Sequence, residues 1–474
     1  MNNYRIESDS VGEKNVPKDA LYGVHTLRGL ENFNITGETI HEELINSLAI
    51  IKKACAIANY EAGILDISKK DAIVKACDDI LHGKYREYIL NDPIQGGAGT
   101  TANMNINEVI ANVADEYLGG TRGEYKYIHP NDDVNMGQST NDVFPTAGKI
   151  AALRLLPQLL NELNLIIDAL MEKAIEFDNV LKMGRTQLQD AVPIRLGQEF
   201  HAYASVLKRD KIRIEKARES ILSINLGASA IGTGINVDLK YFDLIIPTLA
   251  SLTGLKLVRP KDLIDETNNL DSLVELSSTL KINAINLSKI SNDLRLLSSG
   301  PKTMIGDINL PPRQNGSSIM PGKVNPVIPE VVSQVAFKVV GNDTTISMCA
   351  EAGQLELNAF EPVLFFSLFQ SIEILGRAMN TLRINCIYGI TANVKKLDRD
   401  IAISIGIVTA LVPHIGYKKA ADIAKKALAE ERKVRDLVIE EGLMTVEELE
   451  EIFDPKAMTQ PGIVGRHLLI KKKD

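Results

Sequence analysis

At 474 residues the chain is too long for one simple core, and its 45% hydrophobic and 24% charged residues are those of a soluble globular protein. With 53 basic against 61 acidic residues the net charge is −8, and the one basic block is the short Lys471-Lys472-Lys473 tail, so neither nucleic acid nor a membrane surface is expected as a partner. The polar start Met1-Asn2-Asn3-Tyr4-Arg5 has no apolar signal-peptide core, no long uncharged run could span a bilayer, and the widely spaced Cys55, Cys77, Cys349 and Cys386 read as buried thiols of a reducing cytoplasm.

In chain order, period-two runs are short and confined mainly to residues 1–40, where strands are expected. Up to about 138 the pace is short, with loops at 85–100 and 119–138. One polar loop, Gln95-Gly96-Gly97-Ala98-Gly99-Thr100-Thr101-Ala102-Asn103, leads into a helical run from Met104 to Tyr117. A second, Gly137-Gln138-Ser139-Thr140-Asn141-Asp142, precedes a helix expected to start near Pro145. Leu156, Leu159, Leu163, Ile166, Leu170, Ala174 and Phe177 then recur at three and four. A third loop, Lys182 to Asp190 with Gly184-Arg185-Thr186-Gln187 inside it, stands before a helix expected from Pro193.

Long apolar-periodic stretches follow at 192–222, 327–350 and 364–382. The cleanest is Leu273, Leu276, Leu280, Asn283, Leu287, Ile290 and Leu294, a strict 3-4 spacing that suits a helix packed against long neighbours, with Asn283 as a register-fixing amide. Past about 394 the helices shorten and become heavily charged. A bundle of long helices shared between subunits is the economical architecture.

The fourth polar loop, Gly316-Ser317-Ser318-Ile319-Met320-Pro321-Gly322-Lys323-Val324-Asn325-Pro326, carries two hydroxyls, a cation and an amide, and ends with Asn325 as an N-cap and Pro326 as first helical residue. Five residues between its glycines and Val324 after Lys323 exclude a phosphate-binding P-loop. There is no Ser-His-Asp spacing, no GxSxG, and no GxGxxG after a strand; Gly232-Thr233-Gly234 sits in the wrong context. Seven scattered histidines and the lack of a carboxylate cluster speak against a metal site. Four hydroxyl- and amide-rich loops, each opening a helix whose N-terminal N–H groups favour an anion, point to a small carboxylate ligand and cofactor-free chemistry.

At these loops the chain resembles the fumarase/aspartase superfamily, whose shared GSSxMPxKxNP loop is intact at 316–326. The resemblance spans essentially the whole length. Val24-His25-Thr26-Leu27, Gln187 after Thr186, Gly353-Gln354-Leu355-Glu356-Leu357-Asn358 and Arg295-Leu296 follow the aspartase form of the family, and the chain contains no tryptophan. The resemblance implies an all-α, mainly helical fold of three domains (1–138, 139–394 and 395–474), with a central five-helix bundle. Four chains would build a twenty-helix core, a homotetramer whose active sites draw loops from three chains.

It implies reversible deamination of L-aspartate to fumarate and ammonium. Carried over residue by residue, Thr100, Ser139 and Thr140 would bind the β-carboxylate, joined by Ser318 when the loop closes. Thr186, Lys323 and Asn325 would hold the α-carboxylate. Asn141, Gln187 and Thr100 would accept from the departing ammonium. Ser317 would be the base that removes the C3 proton. The rival readings are a fumarate hydratase of the same fold and a non-catalytic, crystallin-like scaffold; lyases with a large leaving group fit less well.

Overall fold

The computed structural model describes residues 3–316 and 318–471. It opens with an antiparallel hairpin, β1 (Tyr4–Asp9) and β2 (Gly12–Pro17), whose turn is closed by Val11 N–H donating to the Asp9 carboxylate. Helices α1 (Val24–Asn32), α2 (Glu42–Ala62), α3 (Ile67–Leu81) and α4 (Thr100–Tyr117) follow. Glu108 on α4 is buried and accepts from the backbone N–H groups of Gly23, His25 and Thr26, and from the Thr26 hydroxyl, which pins the Val24-His25-Thr26 segment to α4.

Five long helices dominate: α5 (Thr140–Glu176), α6 (Leu196–Ser220), then, after the shorter α7 (Leu239–Thr253) and α8 (Leu263–Asn268), α9 (Asp271–Leu297), α10 (Val327–Glu351) and α11 (Glu361–Asn385). The 3-4 stripe of α9 is its buried face: Leu273, Leu276, Leu280, Leu287 and Leu294 have no exposed surface, and Ile290 only 1%. At about 1.5–3 kcal/mol per buried aliphatic side chain, that stripe outweighs the modest helix propensities of the residues between. Asn283, also fully buried, donates to Asp210 of α6 at 3.2 Å, so the amide on the seam does have a fixed polar partner. Helix α5 and the segment beginning with α11 are long and apolar enough to cross a membrane, yet 61% and 67% of their most apolar windows are buried inside the fold, as core helices are.

The chain divides into two compact units: residues 1–161, 210–284 and 335–377, and residues 162–209, 285–334 and 378–474. The boundaries fall inside the five long helices, so each of these contributes to both units. In the second unit, short helices beyond Val394 close over their own core of Ile407, Leu411, Ile423, Val434, Leu437, Leu449 and Ile452.

Three local expectations are corrected. Helix α5 begins at Thr140, with Pro145 inside it rather than at its start. Proline is tolerated there because its missing N–H would have bonded the Asn141 carbonyl, which another residue fills. Pro193 lies in a strand: Leu181–Thr186 (β3) and Gln189–Arg195 (β4) form a hairpin, and α6 starts only at Leu196. Strands are therefore not confined to the first forty residues. At the fourth loop, α10 starts at Val327 and the Pro326 carbonyl accepts from Glu330 N–H at 3.2 Å, which moves the cap one residue past Asn325.

Candidate active site

Helix α4 can begin at Thr100 because Gly99 has φ +87°, and a Cβ there would lie 2.4 Å from the Phe144 ring. Gln95 braces the same loop, accepting from Ala102 N–H at 3.0 Å and donating to the Asp92 carbonyl at 2.7 Å. The Thr100 hydroxyl donates to the Gly97 carbonyl at 2.8 Å, so its proton is engaged while its lone pairs face outward as acceptors.

The 137–142 loop is held from beneath. Lys52, fully buried in the apolar run of α2, donates to the side-chain oxygens of Asn135 (2.9 Å) and Gln138 (2.8 Å). Asp142, also fully buried, accepts from Ser139 N–H (3.0 Å), Gly227 N–H (3.0 Å) and Ser229 N–H (3.1 Å). Burial pulls the Lys52 ammonium down to about 8. It pushes the Asp142 carboxyl up to about 6, against the pull of its N–H donors and of Lys52.

The protons on this loop can be followed one by one. Asn103 on α4 donates to the Thr140 hydroxyl oxygen at 3.0 Å, and Asn141 N–H donates to the Ser139 oxygen at 3.2 Å. Both hydroxyls act as acceptors toward the protein and so have their own protons free for a carboxylate. The Asn141 side chain donates its nitrogen to the Ala230 carbonyl at 2.7 Å, which leaves its oxygen as the group offered to a ligand. Thr100, Ser139, Thr140 and Asn141 thus cluster at the adjoining N-termini of α4 and α5 in the first unit, where orphan backbone donors add positive potential.

Thr186, Gln187, Ser318, Lys323 and Asn325 belong to the second unit. Thr186 pairs with Gln189, and Gln187 and Leu188 form the two-residue turn with φ +55° and +63°, the geometry a tight hairpin demands. Gln187 is exposed at this tip. The hairpin is anchored by Asp307, fully buried, whose carboxylate meets Arg185 at 2.6 Å, Lys182 at 3.3 Å and Lys396 at 3.6 Å. Lys182 also donates to Glu199 at 2.9 Å.

The fourth loop closes on itself: a Cβ on Gly316 would fall 1.4 Å from the Lys323 carbonyl oxygen, and Gly322 turns at φ +83°. Lys323 and Asn325 line a cavity of about 1020 Å³ with Asn292, Arg295, Ser298 and Glu330. Ser318 and Lys323 are exposed. Ser317, the expected base, lies outside the described residues.

Sequence reasoning missed the residues that hold these loops: Lys52, Asn103, Asp142, Asn225 and Asp307. Two left a local trace. Lys52 is a charge inside Leu48-Ala49-Ile50-Ile51-Lys52, and Asp142 is the last residue of the second polar loop. The partners of the others are remote in sequence.

The family model described as Lyase matches residues 12–341, and that described as Fumarase C C-terminus matches residues 407–460. The chain is 52% identical to the aspartate ammonia-lyase of Bacillus subtilis (strain 168), covering 99% of this chain and 98% of the relative. Among solved structures it superposes on fumarate lyase:delta crystallin from Brucella melitensis bound to cobalt with a TM-score of 0.94 at 48% identity, covering 97% of this chain and 100% of that one. It superposes on recombinant class II fumarase from Schistosoma mansoni with a TM-score of 0.92 at 36% identity, covering 97% and 99%.

Proposed function

The chain belongs to the fumarase/aspartase family of lyases, and from that premise we propose how it works. It is a carbon–nitrogen lyase that splits L-aspartate reversibly into fumarate and ammonium. The observation that carries this activity is the full-length similarity to an aspartate ammonia-lyase, well above that to a fumarase.

The chemical difficulty is that removing the C3 proton places a second negative charge on the β-carboxylate. Preorganised donors aimed at that group lower the barrier, each worth about 10²–10³ in rate. The free hydroxyl protons of Ser139 and Thr140, beside two helix N-termini, supply such donors, and Ser318 adds another when its loop closes. Thr186, Lys323 and Asn325 hold the α-carboxylate. The amide oxygens of Asn141 and Gln187 and the lone pairs of Thr100 receive the departing ammonium. Ser317 is the base; backbone N–H groups of its glycine-bearing loop and the Lys323 charge stabilise its anion.

The functional assembly in this reading is a homotetramer. Its support is the exposure of Ile285 (50%), Phe337 (68%) and Met348 (66%) on long helices, and of the loop residues Thr186, Gln187 and Lys323, which a single chain leaves open. The division into domains 1–138, 139–394 and 395–474 belongs to the same reading; the separate core at 407–468 supports its last boundary. Four free, buried cysteines support a cytoplasmic location.

One assay tests the activity. Fumarate absorbance should rise when L-aspartate is added and stay flat with L-malate; activity with malate alone would make the protein a hydratase.

A further inference from the structure

The segment 223–234 contains the Gly232-Thr233-Gly234 run that fits no nucleotide motif, yet it is bound to the substrate loop at four points. Pro145 has no N–H, so the carbonyl four residues earlier, Asn141 O, is left without its helical donor. Asn225, only 1% exposed, fills that vacancy: its amide nitrogen donates to Asn141 O at 3.0 Å and to the Thr267 hydroxyl at 3.1 Å. Asp142 accepts from the backbone N–H groups of Gly227 and Ser229, and Ser229 is held at φ +59°. The turn so fixed brings the Ala230 carbonyl to 2.7 Å from the Asn141 amide nitrogen.

A carbonyl can only accept, so this contact dictates which way the Asn141 amide points. Were Asn141 reversed, its oxygen would face the Ala230 oxygen and its NH₂ would face the ligand. The orientation of a single amide therefore depends on a buried acid that touches no ligand.

We propose that Asp142 is a positioning residue for amine recognition: by stapling the 225–230 turn to the substrate loop it locks the Asn141 amide with nitrogen on Ala230 and oxygen toward the leaving amine. This rests on the deamination reading above and extends it to what selects ammonium. A merely structural role for Asp142 would weaken both co-substrates of the reverse reaction alike; a positioning role weakens ammonium selectively.

The test is reverse-direction kinetics with fumarate and ammonium on the full-length protein, on Asp142→Asn, which turns one acceptor into a donor facing N–H groups, and on Asn225→Ala, which loosens the turn without touching the Ser139 N–H that Asp142 also holds. The KM for ammonium should rise about tenfold or more, the effect of one lost hydrogen bond, while the KM for fumarate changes less than about threefold. An unchanged ammonium KM, or an equal rise for both, overturns the proposal. If Asp142→Asn does not fold, Asn225→Ala carries the same expectation and the same refutation. Amide hydrogen exchange on the unaltered protein separates the two levels: Gly227 and Ser229 must be protected even if L-aspartate proves not to be the substrate. Rapid exchange at both amides would sink the staple, whereas an inactive but protected protein would sink only the deamination reading.

Discussion

Asn103 donates its side-chain amide to the Thr140 hydroxyl at 3.0 Å, tying the first turn of α4 to the first residue of α5. The bond occupies the oxygen of that hydroxyl and leaves its proton directed elsewhere. Replacing Asn103 with Ala removes the tie, and kcat/KM for L-aspartate should fall about tenfold, equivalent to one lost hydrogen bond. Steady-state kinetics at fixed pH measure this, with near-ultraviolet circular dichroism to verify that the fold is retained.

Gly99→Ala should cost more than its single methyl suggests. The backbone sits at φ +87° and the new Cβ would meet the Phe144 ring at 2.4 Å, so either the loop or the ring must move. A loss of about 1–3 kcal/mol in stability is expected by chemical denaturation, with reduced affinity for fumarate.

Asp307→Ala takes the shared carboxylate away from Arg185, Lys182 and Lys396. Deleting one partner of a buried ion pair costs about 3–5 kcal/mol, and less is expected here because Lys182 keeps Glu199, Arg185 keeps Asp190 and Lys396 keeps Asp400. Unfolding midpoints should drop, and the KM for L-aspartate should rise because the hairpin presenting Thr186 loosens.

The pH dependence follows from Asp142, whose folded pKa is raised to about 6 by burial. The groups facing it are Lys52 and Cys55 of α2 and Tyr241 of α7. Protonation converts one of its oxygens into a donor pointed at N–H groups, so kcat/KM should show an acid limb near 6 that is absent from Asp142→Asn. The sign for stability is opposite. An acid with a raised folded pKa holds its proton longer when folded, so its contribution falls as pH rises from about 4 to about 6 and stays lost above that. Activity and this part of stability should therefore move in opposite directions across that window.

Ser317→Ala should leave the KM for L-aspartate within a few-fold and reduce kcat by about a thousandfold, within the range for losing a general base. Turnover that survives the change would assign proton removal elsewhere.

The long helices were legible because a 3-4 stripe such as Leu273 to Leu294 is a local signal and burial rewards it directly. The Gly316–Pro326 loop was legible because glycine and proline mark turns wherever they occur. The β3–β4 hairpin was not. Its buried residues include the charged Lys182, which disguises the alternation, and the reason a lysine can be buried there is Asp307, far along the chain. Pro193 pointed to a helix start, yet in β4 it only forgoes a ladder bond. The loop hydroxyls themselves could be picked out of the sequence one by one. Which of their protons are free depends on Asn103 and on the backbone around Ser139, and no spacing rule encodes that.

Pro145 works through what it lacks. An alanine there would complete the ladder of α5 and compete with Asn225 for the Asn141 carbonyl, one of the turn's four ties to the 137–142 loop. On the proposal above, a side chain with no polar atom thereby bears on which way the Asn141 amide points.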